Sequence, residues 1–306
     1  MKTDIALPLP GMELAAAKMP GHWLLARLGK RVLRPGGREL TRCMLQSLAI
    51  GRSDAVVEFA PGLGTTTRLV LDLHPASYTA VEDNEAAAVR VRQLLRGKNQ
   101  HCLVGTASAT ALPDRSGSVV YGEAMLTMQG PSQKSAIVRE AARLLKGGGR
   151  YGIHELCLVP DDLDGAIQRE IQQVLSRTIH VGARPLTAAE WRALLEAEGF
   201  DVRSQMLRPM RLLKPGRLIQ DEGVAGALRF AWNLCRDREA RQRVSAMHRV
   251  FMKHRTHLAA IMLVGIKRSE HAQNNIHPME ERNGNGDAPV PAANRLEMTW
   301  RRSSFL

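Results

Sequence analysis

Two carboxylates and a glycine-bearing turn stand where a small ligand can be held. Glu58 lies in a short β-branched run, Ala55–Phe59, that passes into Ala60, Pro61, Gly62, Leu63, Gly64 and Thr65 and then into a helical pattern over residues 66–73. A strand, turn and helix of this kind put free N–H groups at the mouth of a parallel sheet, and glycines let the backbone come close to a ligand. The turn holds no basic residue, and its first position is Ala60 rather than glycine. It therefore departs from the GxGxxG phosphate cradle of dinucleotide enzymes. Eighteen residues beyond Gly64, Glu82 closes a second short run and leads into Asp83 and Asn84. Glu123 follows a fourth such run, and His154 and Glu155 lie near the end of a fifth. A carboxylate and an imidazole at those ends are candidates for acid–base or orienting work.

The elements that must position these groups follow from periodicity. Apolar runs at 55–59, 77–81, 101–105, 118–121 and 150–156 alternate with helical periods, which predicts a parallel sheet. Residues 200–207 and 258–266 add two more strands, separated by a mostly helical insertion over 208–256. Ahead of the sheet, residues 21–33 read as an amphipathic helix with Trp23, Leu24, Leu28 and Val32 on one face. Such a helix can cap a cleft or lie on a membrane surface. A second helix is expected over 38–48, a long amphipathic one over 161–180, and one over 187–198 with Thr187 and Glu190 as its capping box. The expected organisation is a cap over 1–50, a ligand-binding domain over 51–269, and a disordered tail over 270–306.

The formal charge of +13 is concentrated rather than spread. Residues 203–269 hold 15 Lys/Arg against 4 Asp/Glu, whereas residues 1–202 hold 24 against 21. Cys43, Cys102, Cys157 and Cys235 form neither a zinc spacing nor a disulfide frame, so a cytoplasmic location is expected. No apolar run approaches the ~18 residues of a membrane span. No histidine, cysteine or carboxylate grouping has metal-ligand spacing, and no metal is expected.

The sequence from Glu58 to Gly64 resembles the first motif of class I S-adenosylmethionine methyltransferases, and the likeness extends over roughly residues 38–267. It implies a seven-stranded, mostly parallel, doubly wound α/β sheet whose last strand is antiparallel, with N-terminal helices and a helical insertion before that strand. It also implies S-adenosylmethionine as cofactor. Glu58, Phe59, Ala60, Pro61, Gly62, Gly64 and Thr65 would wrap its methionine part, and Glu82 would grip the ribose diol with Asp83 beside the adenine. Thr106, Ala107 and Ser108 resemble the family's adenine-recognising segment, with Thr106 where an acid is usual. Glu123 would face both cofactor and acceptor. Leu144 to Arg150 resembles the family's glycine turn before the fifth strand.

For the reaction itself, His154, Glu123 and Glu155 are the candidate catalytic groups. His22, Trp23, Met125, Met128, His180 and Arg184 are the candidate acceptor contacts. The expected acceptor is a small molecule bearing a thiol, hydroxyl or amine. The alternative is a nucleic acid, above all RNA, held by the arginines and lysines of residues 203–269. Few aromatics accompany those charges, and no base-amine motif of the N/D-P-P-Y kind follows the fourth strand. Peripheral membrane contact and oligomeric state stay open.

Overall fold

The computed structural model describes residues 9–269 apart from Arg211; the tail expected from residue 270 lies outside the described residues. Among the described residues eight strands form one sheet: β1 (Ala55–Phe59), β2 (Ser77–Glu82), β3 (Gln100–Val104), β4 (Gly117–Glu123), β5 (Leu145–Leu158), β6 (Leu186–Thr187), β7 (Phe200–Pro209) and β8 (Leu258–Lys267). Their order is β3-β2-β1-β4-β5-β8-β7, with β6 paired to β5. The pairs among β1 to β6 are parallel, and β8 runs antiparallel to both β5 and β7. This is the doubly wound sheet with an antiparallel last strand that the sequence implies. The two-residue β6 is the addition, and it ends on Thr187, the N-cap of the helix that follows.

Helices cover both faces because alternate residues of each strand are apolar on each side. On one face α2 (Gly37–Leu48) sets Leu40, Met44, Leu45 and Leu48 against Val56, Val119, Tyr121 and Met262, and α3 (Thr65–Leu71) and α4 (Glu85–Arg92) complete that layer. On the other, α5 (Pro131–Leu144) and α7 (Ala188–Ala197) pack Ile137, Val138, Trp191 and Leu195 against Phe59, Val120, Tyr151 and Ile153. The capping box of α7 forms as its sequence suggests: Glu190 N–H donates to Thr187 Oγ1 at 3.2 Å, and Thr187 N–H donates to Glu190 Oε2 at 2.7 Å.

Beyond the carboxyl ends of the strands lie α1 (Gly21–Arg27), α6 (Gly165–Ile179), α8 (Pro215–Arg236) and α9 (Arg238–Lys253). Leu24, Leu25 and Leu28 are buried with Phe230 of α8 and Val244 and Met247 of α9. The apolar face of the N-terminal helix is thus turned inward, which removes it as a membrane-facing surface. The helix is also shorter than the expected 21–33. Gly29, at φ +106°, breaks it, and the N–H groups of Arg31 and Val32 donate to Glu222 Oε1 of α8, both at 2.9 Å, instead of to helical carbonyls. Among the described residues no helix is long and apolar enough to cross a membrane, and no cluster of three or more potential metal ligands occurs.

Trp191 is fully buried, and its indole N–H donates to Leu156 O at 3.1 Å. Trp191→Ala removes both the packing and that bond, and a loss of about 3–5 kcal/mol in unfolding free energy is expected from urea titration. A loss below about 1 kcal/mol would show that this face of the sheet is not the packed layer described.

Candidate functional site

A cavity of about 530 Å³ opens at the carboxyl ends of β1, β2 and β4. One end is built from the β1–α3 turn and the end of β2: Ala60, Pro61, Gly62, Leu63, Thr65, Glu82, Asp83 and Asn84. Ala60, Gly62 and Gly64 all have positive φ, at +50°, +57° and +68°. A Cβ added at Gly62 would meet nothing within 4 Å, so the turn presents its open side to the cavity. Gly64 serves differently, as the N-cap of α3 packed under Leu94. Glu82 is the acid of this end. Its Oε2 accepts Gly62 N–H at 2.8 Å and its Oε1 accepts Asn84 N–H at 3.1 Å. Burial, against those two donors and with Asp83 adding to the rise, pushes its carboxyl up to about 7.

The middle of the cavity is set by Glu123, at the end of β4. Its Oε2 pairs with Arg34 Nε at 2.6 Å and also accepts the Thr66 hydroxyl. Its Oε1 accepts the Thr41 hydroxyl at 2.5 Å and lies 2.9 Å from His154 Nδ1. Burial alone would raise this carboxyl, but Arg34 and His154 outweigh it and hold Glu123 at about 2. The next residue, Ala124, sits at φ +53° and lines the cavity. Its conformation resembles that of Ala60, so two alanines in sparsely populated backbone regions flank the same opening.

The far end is apolar. Met125, Met128, Leu156, Leu175, Ile179, Val181, Met210, Met247 and Phe251 line it, and Gly21, His22, Trp23 and Leu25 of α1 lie across it. His22 is pulled down to about 4 by burial, Asp83 opposing, so it is neutral at physiological pH. Arg31, Leu33, Arg34 and Pro35 form the remaining wall. That segment is held from behind by α8: besides the Glu222 bonds, Asp221 Oδ1 accepts Arg38 N–H at 3.0 Å, and the Arg217 guanidinium donates to Gly36 O. Fully buried Lys30 stands 3.7 Å from Asp221 and 3.6 Å from Glu222.

The structure brings together His22, Trp23, Ala60, Pro61, Gly62, Thr65, Glu82, Asp83, Glu123, Met125 and Met128. It places the others elsewhere. Glu58 points into the core on the face covered by α3, where its Oε2 accepts the hydroxyls of Tyr78 and of Thr67, the latter at 2.8 Å. Phe59 faces the α5 side of the sheet. Thr106 and Ser108 bond each other at 2.9 Å, Gln133 Nε2 donates to Ser108 Oγ, and neither they nor Ala107 reach the cavity wall. His180 is the exposed left-handed cap of α6. Arg184 contributes its backbone, donating to Thr127 O at 2.7 Å and accepting from Lys134 Nζ at 2.8 Å.

His154 and Glu155 are not arranged as acid–base groups. His154 is fully buried, and its Nε2 accepts Gly36 N–H at 3.0 Å, which leaves the proton on Nδ1 facing Glu123. Both ring nitrogens are engaged by protein. Glu155 is fully buried, and its carboxylate accepts the N–H groups of Met125, Leu126 and Thr127 and the Thr127 hydroxyl, all within 3.0 Å. It fixes the 3₁₀ turn at Leu126–Met128 that forms one cavity wall. A Glu123 held at about 2 is likewise a poor base at neutral pH. The groups missed by sequence reasoning are chiefly Arg34, Arg31, Gln129, Met210, Met247 and Phe251. Their only sequence signal is their place on helices or breaks flanking the sheet.

Residues 57–153 match the family model described as a methyltransferase domain. An uncharacterised protein of Haemophilus influenzae is 30% identical over 247 residues, spanning 79% of this chain and 96% of that protein. Among solved structures, the [4+2]-cyclase SpnF is similar with a TM-score of 0.61 at 16% identity, covering 80% of this chain and 93% of that one. Phosphoethanolamine N-methyltransferase 2 of Haemonchus contortus, solved with S-adenosyl-L-methionine, is similar with a TM-score of 0.62 at 10% identity, covering 81% and 57%. At these identities the two structures show a shared fold.

The geometry assigns His154 to positioning rather than proton transfer. His154→Leu strands the buried Gly36 N–H and takes from Glu123 Oε1 one of its two donors, leaving the Thr41 hydroxyl, at about 1–3 kcal/mol each. Urea unfolding is expected to show a total loss of about 2–5 kcal/mol, with the pH profile of turnover keeping its shape. A profile that lost its acid limb at unchanged stability would restore His154 as the base.

Proposed function

We propose that this chain, which belongs to the class I S-adenosylmethionine-dependent methyltransferase family, methylates a small, largely apolar acceptor that carries a thiol, hydroxyl or amine. When bound, S-adenosylmethionine supplies an electrophilic methyl group for in-line displacement. What the protein adds is alignment and exclusion of water. The observation that carries the reading is one cavity with two chemically distinct ends. A polar end joins the Gly62 turn to Glu82, and an apolar end runs from Met125 and Met128 to Met247 and Phe251.

At the polar end, Glu82 would accept the ribose hydroxyls, and the Ala60–Thr65 backbone would border the methionine part. The donor and acceptor chemistry fits: a carboxylate facing a diol, an open glycine turn, and the exposed Arg31 on the cavity wall to meet a carboxylate. Glu58 would act at one remove, holding β1 and α3 together beneath the turn through Thr67 and Tyr78. Neutral His22 is a cavity group suited to orient an acceptor by hydrogen bonding; held near 4, it is as poor a base at neutral pH as Glu123. An acceptor already present as thiolate needs no base.

The cavity wall favours a small molecule over a nucleic acid. Several basic residues of 203–269 are engaged in the fold: Arg208 and Arg217 pair with Glu39, and Arg243 donates to the carbonyls of Ala16, Ala17 and Met19. The functional test is S-adenosylmethionine consumption with panels of amphipathic thiols, phenols and amines, and with RNA as the control arm. Turnover is expected with members of the small-molecule panels. Turnover with RNA alone, falling steeply with salt, would overturn the reading.

Glu82 also sets a pH dependence. A carboxyl near 7 must lose its proton before it can accept two hydroxyl hydrogens. Affinity for S-adenosylhomocysteine is therefore expected to rise from pH 6 to pH 8 and then level, by calorimetry. Glu82→Gln is expected to weaken binding by about 1.5–3 kcal/mol at pH 8 and to flatten that dependence. Equal affinity in the two proteins would remove Glu82 from the ribose site.

A further inference from the structure

We propose that the outward face of α8 is a docking surface for an anionic lipid bilayer. Gly223, at φ +73° and ψ 170°, breaks α8, so residues 224–236 form a separate helical segment. On it Val224, Leu228 and Trp232 are 64%, 65% and 63% exposed. They recur every fourth residue and so form one continuous stripe about 12 Å long. The opposite face is fully used: Phe230 is buried and Leu234 half-buried against Leu24, Leu25 and Leu28 of α1. Core packing therefore leaves the stripe unexplained. A single exposed leucine is ordinary, but three large apolar side chains aligned on one helix are not.

Charge decides what covers the stripe. Arg229 and Arg236 lie along one border of it at helical spacing, and the Arg236 guanidinium sits 5.5 Å from the Trp232 ring centroid. Arg238, Arg241 and Arg249 follow on α9 and are also exposed. Of the four acids in residues 203–269, Asp221 is buried, Glu222 accepts backbone N–H groups and Asp237 pairs with Arg27, leaving only Glu239 exposed. Apolar side chains with a tryptophan, bordered by arginines, suit the headgroup boundary of an anionic membrane. A second copy of the chain would bring the same positive charge face to face. A nucleic acid would pair the arginines yet leave Val224 and Leu228 in water.

The position suits the acceptor reading. The inner face of α8 shares its apolar cluster with α1 and α9, whose Leu25, Met247 and Phe251 wall the apolar end of the cavity. The surface rests on its own observations, however, and its test needs no turnover.

The full-length protein is to be sedimented with vesicles of phosphatidylcholine alone and of phosphatidylcholine with 30% phosphatidylglycerol, at low and physiological salt. Partition is expected onto the anionic vesicles, at least tenfold stronger than onto the neutral ones. Leu228→Ser with Trp232→Ser is expected to cut it at least tenfold, and Arg229→Gln with Arg236→Gln to cut the anionic preference. S-adenosylhomocysteine affinity and the unfolding midpoint are expected to stay unchanged in all variants, which separates this surface from the cavity. Three results would overturn the proposal: no partition onto anionic vesicles, equal partition by the serine variant, or a dimer in sedimentation velocity that the serine variant dissolves.

Discussion

A carboxylate without water must be paired, and Glu123 meets that requirement with groups drawn from four separate parts of the chain. Arg34 comes from the segment after α1, Thr41 from α2, Thr66 from the start of α3, and His154 from β5. Leaving such a charge buried and unpaired costs several kcal/mol, so the four partners are drawn to the end of β4. His154 extends the network by one step to Gly36 N–H. Through these bonds the sheet dictates where the chain before α2 must lie, and that chain is a wall of the cavity.

A second polar hub holds the same segment from its other side. Lys30 is buried between Asp221 and Glu222, while Glu222 and Asp221 also take the backbone N–H groups of Arg31, Val32 and Arg38. Burial pulls the Lys30 ammonium below its usual range, the two carboxylates opposing. The helical insertion is thus tied to the N-terminal segment by charge, although nearly 200 residues of chain separate Arg31 from Glu222. The N-terminal segment and the helical insertion, far apart in the chain, thus meet over the strand ends to wall the cavity.

Much of this was legible in the sequence and some was not, for reasons of range. The sheet, the glycine turn and Glu82 are local patterns: β-branched runs, a turn with positive φ, an acid at a strand end. The capping box of α7 is equally local. Glu58 shows the limit of that reading. The motif marks the residue but not its face, and strand alternation sends it with Val56 toward α3, where the Tyr78 and Thr67 hydroxyls donate to its carboxyl. His154 was legible as a polar residue near a strand end, but its role depends on Gly36, 118 residues earlier. Arg34 stands just past the helix expected over residues 21–33, at its break. It became a cavity residue because Gly29 ends that helix early. The basic region likewise read as one patch, whereas the fold divides it between arginines that brace the N-terminal segment and arginines left at the surface around α8.

Glu123 holds residues 29–38 in place as a cavity wall. Hydrogen–deuterium exchange on the intact protein and on Glu123→Gln tests it most directly. The substitution is expected to speed amide exchange by at least tenfold across residues 30–37 while β4 and β5 keep their protection. Unchanged exchange in that segment, or a uniform loss of protection through the whole sheet, would contradict it.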